Sequence, residues 1–274
     1  MKNDLKDTTF IIPIRIESVD RLRNVITVCC FLLETFDTKV IIKEVDKESV
    51  FVEQALPQIT EYVGEDIKNL THVFEQSEDQ VFYRMRYLNE MLDMCETPVV
   101  ANYDCDVLLP VDTYVQAQKM CTGEYDLVYP YGFGTWQKKI YADDPMVSEF
   151  FSNDCDFSIL ERKHEPDRAE SGHVQFFNTA AYREGGMENE NFRGSSPEDK
   201  ERIHRFVKLG YNVGRIENWV YHLEHSRGNN SWPVSYHGNP YMQQNISLWE
   251  TLQKMEKDEL REYYNNQKYL KKYR

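Results

Sequence analysis

The sequence lacks a CxxC pair, an apolar run of membrane-spanning length and an excess of positive charge. Its six cysteines are scattered and mostly lie in apolar segments, as reduced core thiols do, so we expect neither a disulfide framework nor a zinc cluster. No stretch approaches the roughly 18 apolar residues of a membrane helix, and "MKNDLKDTTF" has no apolar signal core, so we expect a cytoplasmic protein. The net charge of −14 opposes binding to nucleic acid.

A linker rich in glycine and serine is also absent from the 274 residues. We therefore expect a single continuous domain over residues 1–240, followed by a C-terminal helix over residues 241–274 that ends in basic residues. At 41% hydrophobic and 13% aromatic, the composition is that of a folded protein with a substantial core.

Strands alternate with helices in the first half of the chain. "TFIIPIRI" (9–16) and "KVIIKEV" (39–45) read as strands on either side of a helix that Ser18 caps, and "LTHVFEQ" (70–76) reads as a third strand. This order predicts an α/β fold with a mainly parallel, mixed sheet flanked by helices, and with ligands at the carboxyl ends of the strands. Residues 131–170 look rich in loops.

Two helix and strand signals stand out in the second half. "SPEDKERIHRFVKLG" predicts a helix with Ser196 as its cap and Gly210 as its stop. "YNVGRIENWVYHLEH" predicts two short strands.

Two aspartates, Asp104 and Asp106, follow an apolar strand in "VVANYDCDVLLP". Buried carboxylates are costly unless a positive charge neutralises them. Their oxygens are hard ligands for Mg²⁺ or Mn²⁺, and these ions commonly bind phosphate oxygens as well. The pair therefore indicates a divalent cation, although an Asp-x-Asp pattern also occurs by chance in acidic proteins.

A pair of histidines, His222 and His225, follows a predicted strand in "WVYHLEHSRG". Imidazole suits Mn²⁺ better than Mg²⁺, so these residues are candidates to complete a metal site. The alternative is that they are ordinary surface or core histidines with satisfied hydrogen bonds.

Two carboxylates, Glu198 and Asp199, lie in the first turn of the predicted helix. Acidic residues there stabilise the helix dipole for ordinary reasons. A carboxylate at that position could also act as a general base toward an incoming hydroxyl.

Four separated pieces resemble, in order and spacing, a known enzyme group. They are Pro13-Ile14-Arg15 at the end of the first strand, Arg84 and Asn89 in "RMRYLN", the Asp-x-Asp motif, and the histidine of "HLEH" after Glu-Asp. Together they span about residues 9–228. The chain resembles A-type (GT-A fold) nucleotide-sugar glycosyltransferases, closest to the β-1,4-galactosyltransferase and galactosyltransferase C-terminal domain group, and is similar to either family 7 or family 2.

The resemblance implies an inverting, metal-dependent transfer of a hexose, galactose or N-acetylgalactosamine, from a UDP-sugar to a saccharide or lipid-linked saccharide in surface polysaccharide synthesis. It implies Mn²⁺ or Mg²⁺ held by Asp106 and His225, with His222 as a possible further ligand. Residues 1–125 would be the nucleotide-binding half and residues 126–240 the acceptor and catalytic half.

Site roles follow from the same resemblance. The donor would contact a set of eight residues: Pro13, Arg15, Asp46, Arg84, Asn89, Asp104, Asp106 and Gly172. Asp199 corresponds to the usual base and Glu198 to an acceptor contact, but the order of these two roles is open, because Lys200 and Glu201 replace the aspartates that follow in the family.

Other features leave alternatives open. A sugar nucleotidyltransferase would share the sheet and the metal aspartates, but "PIRIESVDR" has no phosphate-binding glycines. A non-catalytic nucleotide-sugar-binding protein of the same fold is the other alternative.

Three further segments each allow two interpretations. "KYLKKYR" at the C-terminus could touch an anionic membrane or simply be solvated. A loop from about Asp154 to Gly172 could close over the donor. Large aromatic residues could line an acceptor groove or belong to the core: Trp136, Phe192, Trp219 and Trp232.

Overall fold

The computed structural model describes residues 2–228 and 234–273. The strands in these ranges are β1 Asn3–Ile14, β2 Phe36–Asp46, β3 Leu70–Gln76, β4 Val99–Tyr103, β5 Val107–Leu108, β6 Leu127–Tyr129, β7 Gly134–Ile140, β8 His164–Ala169, β9 Val174–Asn178, β10 Val213–Arg215 and β11 Val220–Leu223. The α-helices are α1 Val19–Thr35, α2 Leu56–Val63, α3 Arg84–Asp93, α4 Val111–Thr122, α5 Asp144–Ser152, α6 Phe157–Leu160, α7 Thr179–Glu184, α8 Glu198–Leu209, α9 Val234–Gly238, α10 Met242–Leu252 and α11 Lys257–Asn265.

The larger sheet has the strand order β10-β6-β9-β4-β1-β2-β3 in the described part of the chain. Its pairs are parallel except for those of β9, which runs antiparallel to β4 and β6. The inner strand β1 is buried on both faces from Thr8 to Ile14, as expected of a parallel strand covered by helices. The predicted mixed α/β architecture is therefore confirmed.

Local signals for helix ends were read correctly in two of three places. Ser18 caps α1 by accepting a hydrogen bond from the backbone N–H of Arg21 at 3.3 Å. Gly210 ends α8 in the left-handed conformation at φ 92°, which glycine adopts without steric cost. The prediction that Ser196 caps α8 was wrong, because Pro197 occupies the cap position.

A smaller sheet, with the order β5-β11-β7-β8 among the described residues, was not predicted. Its strands β7 and β8, with α5 and α6 between them, lie in the segment that looked rich in loops. The polar strands "GTWQKKI" and "HEPDRA" carry little apolar alternation, and β8 is an exposed edge strand. The proposed lid from Asp154 to Gly172 contains α6 and β8, and β8 pairs with β7.

The predicted single C-terminal helix was also wrong, because the segment forms α10 and α11 with a break between them. Glu256 and Glu259 form a capping box that starts α11 afresh. Leu252, Leu260 and Tyr264 are buried, so both helices belong to the core rather than standing apart from it. Among the described residues, none of the helices combines the length and apolar character needed to cross a bilayer.

Candidate active site

The loop between β4 and β5 carries both aspartates of the Asp-x-Asp motif at the carboxyl edge of the larger sheet. β5 then pairs antiparallel with β11, so that His222 stands opposite Val107. The backbone N–H of Leu223 donates to the carbonyl oxygen of Asp106 at 2.7 Å. A strand pairing between distant segments thus brings His222 beside Asp106.

Asp106, His222 and His225 form a buried cluster. The Nε2 atom of His225 lies 3.1 Å from Oδ2 of Asp106, and Nε2 of His222 lies 3.7 Å from Oδ1. One ligand atom from each residue lies within 4.8 Å of the others. One carboxylate and two imidazoles at these separations match the ligand types that divalent transition metals prefer.

The outer nitrogens of both imidazoles face oxygen atoms. Nδ1 of His225 donates to the carbonyl oxygen of Ser226 at 2.8 Å, and Nδ1 of His222 lies 3.1 Å from a carboxylate oxygen of Glu224. The carbonyl partner of His225 places the proton on Nδ1 and leaves the lone pair of its Nε2 directed at the shared centre. The cluster therefore fits a divalent metal ion in its donor atoms and in the orientation of His225.

The charge of Asp106 is strongly favoured. Burial by itself would raise the pKa of the Asp106 carboxyl, but the adjacent His222 and His225 outweigh burial and hold this pKa well below its usual range. The carboxylate is therefore available as a ligand throughout the neutral pH range.

The first turns of α1 fix the segment that carries the histidines. Asp20 accepts hydrogen bonds from the backbone N–H and the hydroxyl of Ser226 at 2.6 and 2.9 Å. The amide of Asn24 donates to the carbonyl oxygen of Leu223 at 2.8 Å. The predicted N-terminal helix thus helps to orient His222 and His225.

A cleft of about 290 Å³ opens over the cluster. The charged side chains that line it within the described residues are Arg15, Arg21, Arg84, Arg227, Glu17, Asp104, Asp106 and Asp199. Arginines and carboxylates are balanced in number, so a divalent cation would make this cleft positive within a chain of net charge −14. Such a cleft favours a diphosphate.

Two of the arginines have defined positions. Nη2 of Arg84 contacts Oδ1 of Asp104 at 2.5 Å. Burial, together with Asp106 and Asp199 nearby, raises the pKa of the Asp104 carboxyl despite this arginine. Arg15 donates through Nε to the carbonyl oxygen of Val45 at 2.9 Å, while its Nη2 is buried without a partner among the described residues. That atom can donate to a ligand in the cleft.

Asp199 stands at the rim of the cleft on the first turn of α8. Its Oδ1 accepts a hydrogen bond from Nη1 of Arg202 at 2.7 Å. The buried guanidinium of Arg202 also donates to both carboxylate oxygens of Glu188, at 2.7 and 2.9 Å. A Cβ atom at Gly172 would come within 3.2 Å of Oδ2 of Asp199. The second oxygen of Asp199 therefore faces Gly172 and the cleft.

Glu198 lines an adjoining pocket of about 420 Å³, which we call the acceptor pocket after the acceptor contact that the motif resemblance implies for Glu198. The pocket shares Gly172 and Asp199 with the cleft. Oε2 of Glu198 and Oγ of Ser195 are buried there without a partner in the described structure. Burial and the neighbouring Asp199 raise the pKa of Glu198 to about 8. The pocket thus offers a protonated carboxyl and a hydroxyl to a ligand.

Most of the predicted site residues meet at this one place. Those that line the cleft are Pro13, Arg15, Arg84, Asp104, Asp106, Gly172, Asp199, His222 and His225. Asn89 does not: its buried amide donates to the carbonyl oxygen of Glu188 and accepts from the N–H of Glu188. Asp46 ends β2 outside the cleft, where its carboxylate accepts from the N–H of Lys47.

Sequence reasoning missed several lining residues. His173 adopts φ 65° and hydrogen-bonds Gln137 through Nε2 at 2.9 Å. Burial and the adjacent His222 lower the pKa of His173 to about 4. Its position next to Gly172 in "SGHVQFFN" was the available signal. Arg21 and Arg227, close in sequence to Ser18 and His225, are the two cationic residues that were missed.

The large aromatic residues that could have lined an acceptor groove do not line either cavity within the described residues. Trp136 and Trp219 pack on each other with ring centroids 5.1 Å apart, and Phe192 is buried. None of these three side chains lines the cleft or the acceptor pocket. Trp232 lies outside the described residues.

Comparisons with known proteins address the fold. No family model matches the sequence, and no curated protein matches it. The structure is similar to that of a mannosyltransferase from Pyrobaculum calidifontis in complex with GDP-mannose and Mn²⁺, with a TM-score of 0.56 and 14% sequence identity. The match covers 96% of this chain and 69% of the mannosyltransferase. The chain therefore has a glycosyltransferase fold of the A type.

Proposed function

We propose that the protein is a metal-dependent glycosyltransferase that moves a hexose from a nucleoside diphosphate sugar to a sugar hydroxyl with inversion at the anomeric carbon. The observation that carries the proposal is the cluster of Asp106, His222 and His225, within one cleft with Asp199, at the carboxyl edge of the sheet. The likeness to a mannosyltransferase described with GDP-mannose and Mn²⁺ supports it.

The donor would lie in the cleft with its diphosphate beside the cluster. Asp106, His222 and His225 would hold Mn²⁺, which when bound stabilises the negative charge of the departing diphosphate. Arg15 offers its unpartnered Nη2 to the nucleotide. Arg84 keeps Asp104 in place through their ion pair.

The acceptor would enter from the acceptor pocket, with Asp199 as general base. The acceptor oxygen forms a bond to the anomeric carbon while the bond from that carbon to the diphosphate breaks, and the proton passes to Oδ2 of Asp199. Arg202 fixes the orientation of the other oxygen. Attack from the face opposite the leaving group inverts the anomeric configuration.

Glu198 would position the acceptor rather than take its proton. A carboxyl with a pKa of about 8 is mostly protonated at neutral pH, so it can donate a hydrogen bond but is a poor base for this step. The two adjacent acidic residues thus take separate roles because one is buried and the other lies at the rim of the cleft.

The motif resemblance favours UDP-galactose or UDP-N-acetylgalactosamine as donor, and surface polysaccharide as the product. GDP-mannose is the necessary competitor, given the mannosyltransferase with the same fold. A thermal-shift panel of UDP- and GDP-sugars with and without Mn²⁺ tests this directly, because a ligand that binds the folded state raises its melting temperature. A shift that requires both donor and metal, followed by transfer to a saccharide, is the expected result.

Other results would assign other functions. Binding with neither transfer nor hydrolysis would indicate a sugar-nucleotide-binding protein. Formation of a nucleotide sugar from a sugar 1-phosphate and a nucleoside triphosphate would indicate a nucleotidyltransferase.

A further inference from the structure

A second groove, of about 700 Å³, continues from the acceptor pocket away from the metal cluster. The two cavities share Glu170, Ser171 and Lys200 in their walls. We call it the distal groove. Its volume lies within the range of small-molecule sites, and its continuity with the acceptor pocket places it where the rest of an acceptor would extend.

One wall of the distal groove is a single face of α8. Lys200, Ile203, His204, Val207 and Lys208 line it at helical spacing, which puts them on one side over about 12 Å of helix. The opposite face of α8 is buried in the core. This face is both apolar and basic, and the apolar side chain of Val207 is 60% exposed.

Two aromatic side chains contribute to the other walls. Phe133 is 63% exposed, which is unusual for so large an apolar residue. The ring of Trp249 meets the ring of His204 edge to face, with centroids 5.3 Å apart. The exposed ring of Phe133 and the half-buried ring of Trp249 offer flat apolar surfaces suited to the CH faces of a sugar.

The groove is cationic although the chain is acidic. Lys200 and Lys208 form no ion pair with the described residues, and the guanidinium of Arg215 donates to the carbonyl oxygens of Tyr131 and Glu170 at 3.0 and 2.8 Å rather than to a carboxylate. Glu170 is the one carboxylate lining the groove within residues 2–228 and 234–273. The helix dipole accounts for a lysine in the last turn of α8, but not for Lys200 in its first turn.

We propose that the distal groove binds the part of the acceptor beyond the reacting sugar, and that this part carries a negative charge next to a sugar ring. This inference rests on the proposed function, and it names the class of acceptor: an acidic saccharide or a phosphate-linked saccharide. Lys200 and Lys208 recognise the anionic group, while Phe133 and Trp249 pack against the sugar. The groove therefore selects among acceptors without touching the donor.

The experiment compares matched acceptors that differ in charge. The carboxylate arm uses two 4-nitrophenyl disaccharides that share the same reacting sugar at the non-reducing end and carry either glucuronic acid or glucose beyond it. The phosphate arm uses a prenyl diphosphate-linked N-acetylhexosamine and its neutral alkyl glycoside. We expect the parent protein to prefer the charged member of at least one pair. Lys200→Gln/Lys208→Gln should raise KM for that member about tenfold, equivalent to about 1.4 kcal/mol, and should raise KM for the neutral member much less.

A matched control is Lys68→Gln/Lys119→Gln, which removes two exposed lysines outside the groove and should leave both values unchanged. Binding of the same compounds in the presence of Mn²⁺ and UDP or GDP, measured by tryptophan fluorescence, compares the affinities for charged and neutral acceptors even without turnover. Trp249→Phe should remove the fluorescence change that accompanies acceptor binding. Equal affinity for charged and neutral members, or equal losses in both lysine pairs, would overturn the proposal. If the parent protein showed no metal-dependent donor binding, that result would instead count against the proposed function.

Discussion

The Nε2 atom of His225 lies 3.1 Å from Oδ2 of Asp106, although more than a hundred residues separate them in sequence. With His222 they supply one carboxylate oxygen and two imidazole nitrogens around a common point. Each is buried, and each is oriented by strand pairing or by a hydrogen bond to the backbone.

Replacing His225 should impair metal binding before it affects folding. His225→Ala removes one nitrogen ligand, and we expect the Kd for Mn²⁺ to rise more than about tenfold, since even outer partners of metal ligands contribute that much. Titration of Mn²⁺ followed by electron paramagnetic resonance measures the change. His164→Ala, at an exposed position on β8, is the control and should bind Mn²⁺ as the parent does. Unchanged affinity in His225→Ala would remove this residue from the site.

Replacing Asp199 should separate chemistry from donor binding. Asp199→Asn keeps the shape and a hydrogen-bond acceptor for Arg202 but removes the base, so we expect transfer to fall about 10²- to 10⁴-fold. The donor- and Mn²⁺-dependent thermal shift should persist. Asp258→Asn, in the first turn of α11, controls for the helix dipole and should leave transfer intact. Full activity of Asp199→Asn would exclude the residue as the base.

Glu198 should make stability fall as pH rises. Its pKa goes from 4.5 in the unfolded chain to about 8 in the folded protein, so the folded state binds the extra proton between these values. The free energy of unfolding should therefore decrease through this window, by up to about 1.4 kcal/mol per pH unit from this group. Urea unfolding at pH 5 to 8 measures the slope.

The matched pair for this measurement is Glu198→Gln and Glu250→Gln. The first should flatten the decline, because a neutral amide replaces the titrating carboxyl, and the second, an exposed residue of α10, should retain it. Identical slopes in all three proteins would mean that Glu198 does not hold a proton in the neutral range.

Asn89 should matter for stability rather than for donor contact. Its amide satisfies the buried N–H and C=O of Glu188 at 2.8 and 2.9 Å, and leaving such groups unpaired costs about 1 to 3 kcal/mol. We expect Asn89→Ala to lower the free energy of unfolding by about this amount with donor affinity retained, as measured by urea unfolding and thermal shift. Asn266→Ala, at an exposed helix end, should be near neutral. A lost donor shift in a folded Asn89→Ala protein would restore its place as a donor contact.

Sequence alone was sufficient for the parts of the fold that are locally encoded. Strands β1 and β2 contain apolar runs with clear ends. The pairing of Asp106 with His225 came from the motif resemblance, and the fold places the two side chains together. The smaller sheet could not be read, since β8 contains "HEPDRA" and is held by pairing with β7 rather than by its own pattern. The contacts of Asn89 could not be read for a similar reason: only the fold shows that its amide hydrogen-bonds the backbone of Glu188.

The pairing of β5 with β11 has a consequence for how the protein responds to its ion. Because Asp106 precedes one of these strands and His222 lies in the other, any opening that separates them also dismantles the cluster. Cation binding should therefore stabilise the pairing of β5 with β11. Amide deuterium uptake in Val220–Leu223 should slow when Mn²⁺ is added, with distant strands such as β3 left unaffected.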